Sequence, residues 1–492
     1  MSDKDKNSPA TTSLAYDAML PAWAKIQTVL DGTEALRQAG RAYLPIHENE
    51  TDVAYQERLQ RSTLFNMTKI TLNSWVGRPF SDPMKVEDAP TEIENLLDNV
   101  DMLGTDLQVF CRNWFLDGLA KAMSHCYIDF PRTDTVTGVR TMADDRREGV
   151  RPYMIHVRPE QLFFANADVV GGREVLREIR IMEEVTEMDG FAEVCLPQIR
   201  RVINDGGRTY VELYRKDPQS KKDEWYRVED YEIGLPFIPL VTFYSDRSAF
   251  MMGQPPLEDL ADLNLAHWQS TSDQRAILTT TRFPMLALSG GADEGKQLVV
   301  GPNRWLHSPD PNGKFYYVEH TGAAIAAGRQ DLADLEDQMS QYGADFLRKR
   351  PGSQTATARA LDSAEATSPL QDAVLRFKEA VDQALDYMAA WLNQETGGYC
   401  SLVTDFGPED INQAELNTLR ETRKQKDISR LAYLKELQRR GMLDEEYDPE
   451  DDAEQLEKEA MQLFGADLTG LDKEEGNGLP ENQEGQEEVI EQ

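Results

Sequence analysis

Residues 257–392 constrain this chain more than any other stretch, because a long helical pattern is interrupted, resumed and then resumed again. A first helix is expected over Leu257–Thr281. Strand-like pieces follow at Met285–Leu288, Gln297–Val300 and Lys314–Val318. A second helix, Gly328–Leu347, places Leu332, Leu335, Met339, Tyr342 and Phe346 on one face at steps of three and four. A loop beginning Arg348-Lys349-Arg350-Pro351-Gly352-Ser353 comes next. A third helix then opens at Ser368-Pro369-Leu370-Gln371, with a capping Ser, a Pro at the first helical position and a Gln at the third. Its apolar ladder runs Leu370, Val374, Phe377, Val381, Leu385, Met388 and Leu392, and such a helix is roughly 35–40 Å long. A helical hairpin with a small β tip is poorly suited to making a pocket. Arranged around an axis, it suits the wall of a channel for a polyanion.

The flanking segments read differently. The first 125 residues are expected to be mainly helical, with Thr51 capping a helix through Tyr55, Leu59 and Ile70 to Trp75, and Gly77-Arg78-Pro79 stopping it. Another helix is expected over Asp106–Met123. Short alternating runs then appear at 126–130, 153–157, 178–182, 198–203, 209–214 and 239–244, separated by turns such as Asn204-Asp205-Gly206-Gly207. They predict an antiparallel meander. Beyond Asp405-Phe406-Gly407-Pro408, Asp427 is expected to cap a helix over Ile428–Arg440, and Asp448-Pro449 opens another to about Phe464. The fold class is therefore α+β.

At 492 residues the chain exceeds one ordinary core, and its 40% hydrophobic content still supports several. No apolar run reaches the roughly 18 residues that span a bilayer, and no signal peptide is visible. Cys111, Cys126, Cys195 and Cys400 form no CxxC pair and are expected to be buried free thiols. Residues 441–492 carry 19 acids and 2 lysines, and the remainder carries 68 acids against 50 bases, for a net charge of −35 overall. The last stretch is expected to be a solvated acidic tail. The acidity elsewhere disfavours tight static binding of phosphates, though not DNA sliding past a repulsive wall.

Motifs for chemistry are weak. Gly290 to Gln297 matches G-x-x-x-x-G-K through Lys296, but Gln297 replaces the Ser or Thr that holds Mg²⁺. Asp293 and Glu294 sit where amides should cradle phosphate, and a strand-like run follows where a helix is needed. A hairpin turn is the better account. The six histidines (His47, His125, His156, His267, His307 and His320) show no metal-ligand spacing, and no nucleophile elbow appears. No cofactor, metal or catalytic residue is expected, and the chain reads as a non-enzyme. The basic loop stands apart: Arg348, Lys349, Arg350 and Arg359 lie in twelve residues without an acid. These cations can complement the negative end of the preceding helix, or touch phosphates transiently without reading sequence.

With these residues in view, the chain resembles bacteriophage portal proteins, the ring at the unique capsid vertex through which genomic DNA enters and leaves. One specific portal family is suggested by Gly32, Tyr43-Leu44-Pro45, Glu50, Tyr55, Arg58-Leu59 and Gly77-Arg78-Pro79-Phe80. The order of parts carries the rest. The resemblance implies a wing over 1–256 (helical 10–125, antiparallel β 126–245), stem helices 257–281 and 328–347, and a clip 282–327. It further implies a tunnel loop 348–364, a tunnel helix with a return to the wing 365–407, a crown 408–466 and an acidic tail 467–492. Leu332, Leu335, Met339, Tyr342 and Phe346 would pack the stem. Arg348, Lys349, Arg350, Ser353, Thr355, Thr357 and Arg359 would face DNA in the tunnel loop. The implied partners are further copies in a ring, expected to be a dodecamer, the major capsid protein, a scaffold, the terminase large subunit, a head–tail adaptor and double-stranded DNA. The implied location is the virion, after synthesis in the host bacterial cytoplasm, with no membrane association. Two alternatives remain: another adaptor or scaffold-type virion protein, and a nucleotide-binding enzyme using Lys296.

Overall fold

Helix starts are set by side-chain oxygens that accept from first-turn N–H groups. In the computed structural model, which describes residues 8–131, 149–216, 224–282, 285–289, 311–318, 322–345, 368–404, 413–439, 447, 448, 452 and 455, Ser13 caps α1 (Leu14–Asp31). Gly32, at φ +91°, ends α1 and opens α2 (Thr33–Ala39), a turn that only glycine makes without strain. The single helix expected from Thr51 to Trp75 is instead two helices, α3 (Asp52–Arg61) and α4 (Met67–Gly77). Thr51 does cap α3. The break is made by polar side chains that compete with the helix for backbone groups. The Ser62 hydroxyl donates to the Arg58 carbonyl, while Asn66 accepts from Lys69 N–H and donates to the Val29 carbonyl. Ile70 is 53% exposed. A short α5 (Thr91–Glu94) precedes α6 (Leu107–Lys121), which Asp106 caps.

The antiparallel strands form two main sheets. One is β3-β2-β9, built from β2 (Met123–Asp129), β3 (Tyr153–Val157) and β9 (Leu240–Tyr244). The other is a five-stranded meander of β4 (Leu162–Val170), β5 (Arg173–Asp189), β6 (Ala192–Asp205), β7 (Arg208–Lys216) and β8 (Trp225–Ile233). The sequence pattern caught only the centres of β5 and β6 and missed β4 and β8. Small pairs join β1 (Lys85–Glu87) to β14 (Tyr399–Ser401), and β10 (Arg247–Ala249) to β11 (Met252–Gly253).

Five more helices follow among the described residues: α7 (Glu258–Thr281), α8 (Ala323–Asp345), α9 (Pro369–Trp391) and, beyond residue 407, the pair α10 (Gln413–Lys424) and α11 (Arg430–Arg439). α9 begins as expected, with Ser368 accepting from Gln371 N–H, and the ladder from Leu370 to Met388 is buried. Phe377 is the hub of the core, with ring centroids 4.9 Å from Phe115, 4.9 Å from Phe243 and 5.1 Å from Trp114. α6 can press against this cluster because Gly118 has no side chain; a Cβ there would lie 2.3 Å from the Phe243 ring.

Residues 407–492 form a separate unit. Its α11 is capped not by Asp427 but by Ser429, which accepts from Ala432 N–H. α10 was not anticipated, and most of the helix expected to about Phe464 and all of the acidic tail lie outside the described residues. Cys111, Cys126 and Cys400 are buried thiols as expected, whereas Cys195 is exposed on β6.

Candidate functional site

α7 enters the core at its N-terminal half: Leu257, Leu260, Ala261 and Trp268 are fully buried. Past Trp268 the buried positions become polar, with Ser272 and Gln274 replacing apolar residues. The chain then turns through β12 (Met285–Ser289) and β13 (Lys314–Val318), paired antiparallel from Met285↔Val318 to Ser289↔Lys314. It returns as α8. This helix starts at Ala323 rather than Gly328, so five residues assigned to the tip belong to the helical arm.

Met339 is fully buried, and Leu332, Leu335 and Tyr342 are half-buried among exposed neighbours. Two glycines bring α8 close to its neighbours. At Gly328 a Cβ would fall 2.2 Å from Gln274 Oε1, and the Gln274 amide donates to the Ile325 carbonyl at 3.0 Å. At Gly343 the carbonyl accepts from Trp75 Nε1 at 3.1 Å, and Thr71 sits 3.1 Å from where a Cβ would be. Tyr342 Oη donates to the Pro256 carbonyl, closing the base of the hairpin.

The base is also gripped from the side. Arg58 donates through Nε and Nη2 to both oxygens of Glu50 at 2.8 Å, and Nη2 also reaches the Pro45 carbonyl. Tyr55 Oη donates to the Leu44 carbonyl, and the Arg58 and Arg41 guanidinium groups each lie 5.5 Å from the Tyr55 ring centroid. From α7, Gln269 donates to the Tyr43 carbonyl and Asp273 meets Arg58 at 3.5 Å and His47 at 3.0 Å. The forked hydrogen bonds from Arg58 hold the Glu50 carboxyl at about 2, far below its usual value. The scattered residues Tyr43, Leu44, Pro45, Glu50, Tyr55 and Arg58 are thus one contact set that fixes a loop to α7. Sequence reasoning missed Gln269, Ser272, Asp273, Gln274, Gly328 and Gly343. Their only signal was polarity and small size inside otherwise continuous helices.

The outward side of α8 is acidic, with Asp331, Asp334, Glu336 and Asp337 exposed. Ser270 donates to Asp331, and His267 lies 3.3 Å from Glu336, so part of this charge also ties α8 to α7. On α7, Lys25 holds Glu258 at 3.2 Å and Asp262 at 2.8 Å. Phe346, the basic-loop residues Arg348, Lys349, Arg350, Ser353, Thr355, Thr357 and Arg359, and Lys296 all lie outside the described residues.

Elsewhere, buried charges are paired: Lys121 with Glu160 at 2.7 Å, and Arg200 with Asp129 at 2.8 Å and Glu183 at 2.6 Å. His125 is fully buried, its Nδ1 3.0 Å from Thr242 Oγ1, and burial lowers its pKa to about 3. Among the described residues no cluster of three His, Cys, Asp or Glu could hold a metal, and no helix is long and apolar enough to cross a membrane.

Residues 256–392 match a family described only as a domain of unknown function, DUF4055. That span runs from the root of α7 to the end of α9. Among solved structures, the chain is similar to one titled as the neck of an empty gene transfer agent particle computed with C6 symmetry, at 12% identity and TM-score 0.35, covering 78% of this chain and 89% of that one. A second is the neck of the native particle computed with C12 symmetry, at 10% identity and TM-score 0.35, covering 74% and 87%. A third is the virion of the native particle, at 12% identity and TM-score 0.34, covering 78% and 92%. No curated protein matches.

Proposed function

We propose that this chain is a structural subunit of a phage-type portal ring, the channel through which double-stranded DNA is packaged and ejected. The observation that carries the reading is the hairpin. Its base is sunk in the core and clamped through Arg58, Asp331, Asp334, Glu336 and Asp337 are exposed along α8, and the described residues beyond the two helices form a β pair. An acidic wall keeps a polyanion from adhering, so DNA can slide. The role is mechanical. The β tip docks the packaging ATPase first and a head–tail adaptor later, the basic loop touches the DNA backbone, and the outer sheets meet the capsid.

Rings built by repeating one head-to-tail contact bring each hairpin against the next around a common axis. Negative-stain electron microscopy of the purified protein tests this directly. Rings with a central hole, expected to be twelve-fold, are the predicted result. A monomeric particle at all concentrations refutes it.

A further inference from the structure

The first half of α1 is joined to the molecule by sparse and separable contacts. Pro21 lies inside this helix, and having no N–H it removes one bond from the helical ladder there. Before that point Leu14 is 82% exposed and Leu20 38%. A small cluster apart from the main core holds the segment: Met19, Trp23 and Met123, with Tyr16, Tyr244 and Met252 packed against it. Hydrogen bonds add to it. Tyr16 Oη donates to the Glu160 carbonyl, Trp23 Nε1 donates to the Lys121 carbonyl, and Ser13 N–H donates to the Phe163 carbonyl. Contacts this sparse can open locally while the main core stays folded.

Beneath this segment sits His125. It shares a void of about 10 Å³ with Ser13, Tyr16 and Trp23, and the remaining walls, from Met123, Leu162, Ala165 and Met251, are apolar. Its Nδ1 meets Thr242 Oγ1 of β9 at 3.0 Å. Among the described residues, the titratable group acting on it is His156 of β3, a second cation when protonated. The carboxylates of the neighbouring elements are engaged elsewhere. Asp117 of α6 lies 3.4 Å from His156, 3.8 Å from Arg158 and 3.9 Å from Lys121. Glu160 meets Lys121 at 2.7 Å, and Asp17 of α1 accepts from Thr12 Oγ1. A proton on His125 is therefore a buried charge without a counter-ion, and burial accordingly holds its pKa at about 3.

We propose that Ser13–Leu20 is an acid-released latch, which swings away about Pro21 when His125 takes up a proton and so bares the seat of Met19 on Met123. Opening lets water reach the imidazolium, which the closed form cannot solvate. The folded value lies below the unfolded 6.5, so the closed form is favoured in full above pH 6.5 and progressively less as pH falls. Between pH 7.5 and pH 5 the opening constant should rise about thirtyfold, with His125 near 3 when closed and 6.5 when open.

The test is hydrogen exchange of the full chain at the two pH values, read by mass spectrometry on peptides covering 13–20 and corrected for the intrinsic effect of pH. In wild type, exchange at 13–20 should rise on acidification while α9 stays protected. His125→Gln keeps an amide for Thr242 but takes up no proton, so opening should become independent of pH. Pro21→Ala restores the missing helical bond, so opening should fall at both pH values with the ratio between them unchanged. A wild-type ratio near one, an equal rise in α9, or a full rise in His125→Gln overturns the latch. Should His125→Gln not fold, wild type and Pro21→Ala decide alone: a Pro21→Ala chain that opens as readily as wild type overturns the hinge at Pro21.

Discussion

Replacing Arg58 by Lys keeps the charge but removes the planar fork that grips Glu50, Pro45 and α7. The Glu50 carboxyl is held at about 2 against 4.5 for a free Glu, which at about 1.4 kcal/mol per pH unit sets a ceiling of about 3.5 kcal/mol. The Glu50 side chain is 11% exposed, so solvent screening brings the expected loss to about 2 kcal/mol. Lys can supply one point-like contact where Arg58 makes bonds to Glu50 and the Pro45 carbonyl at once. All seven tryptophans lie before residue 407, so urea unfolding followed by their fluorescence reports the unit that contains the clamp. A double-mutant cycle with Glu50→Gln should return a coupling of similar size. The pH dependence has a definite sign. A carboxyl depressed in the folded state stabilises above its unfolded value of 4.5, and that stabilisation is lost as pH falls toward about 2. Glu50→Gln should therefore flatten the stability curve across that window. An Arg58→Lys protein within about 0.5 kcal/mol of wild type, or a cycle with no coupling, would refute the clamp as described.

Gly118→Val forces a branched side chain into the Phe243 ring, where even a Cβ would sit 2.3 Å away, and should cost about 1–3 kcal/mol in the same assay. Phe243→Leu added to it should recover part of the loss, and no recovery would show that the strain lies elsewhere. Burial holds His125 near 3, so its contribution is complete above the unfolded value of 6.5 and fades as pH falls toward 3. His125→Gln should reduce the slope of stability in that range, and an unaltered slope would contradict the assignment. Replacing Arg348, Lys349 and Arg350 by Ala should leave rings and proheads intact while reducing DNA filling or retention. Unchanged packaged length in that variant would remove the loop from the mechanism.

Legibility from sequence followed burial geometry. α9 was readable to the residue at its start because a Ser-Pro cap and an unbroken apolar ladder coincide, and its one-sided burial preserves the period of 3.6. β2 is buried at every position, so its alternation vanished and its start was placed three residues late. The helix expected through Ser62 failed because a capping hydroxyl and an Asn amide found backbone partners that the pattern cannot display. α8 starts at Ala323, five residues before the expected Gly328, and the missing side chain of Gly328 serves the approach of Gln274.

The sequence alone determined the α+β class, the helix–strand–helix hairpin at mid-chain, its apolar seam and its acidity. These are local or periodic properties, written in neighbouring residues. Only the tertiary structure decided that Glu50, Arg58, Tyr55 and Asp273 form one clamp, and that Gly328 and Gly343 let α8 approach α7 and α4. Those features join residues far apart in the chain, and their energy comes from distances, such as the 2.8 Å Arg58–Glu50 contact, that exist only once the chain has folded.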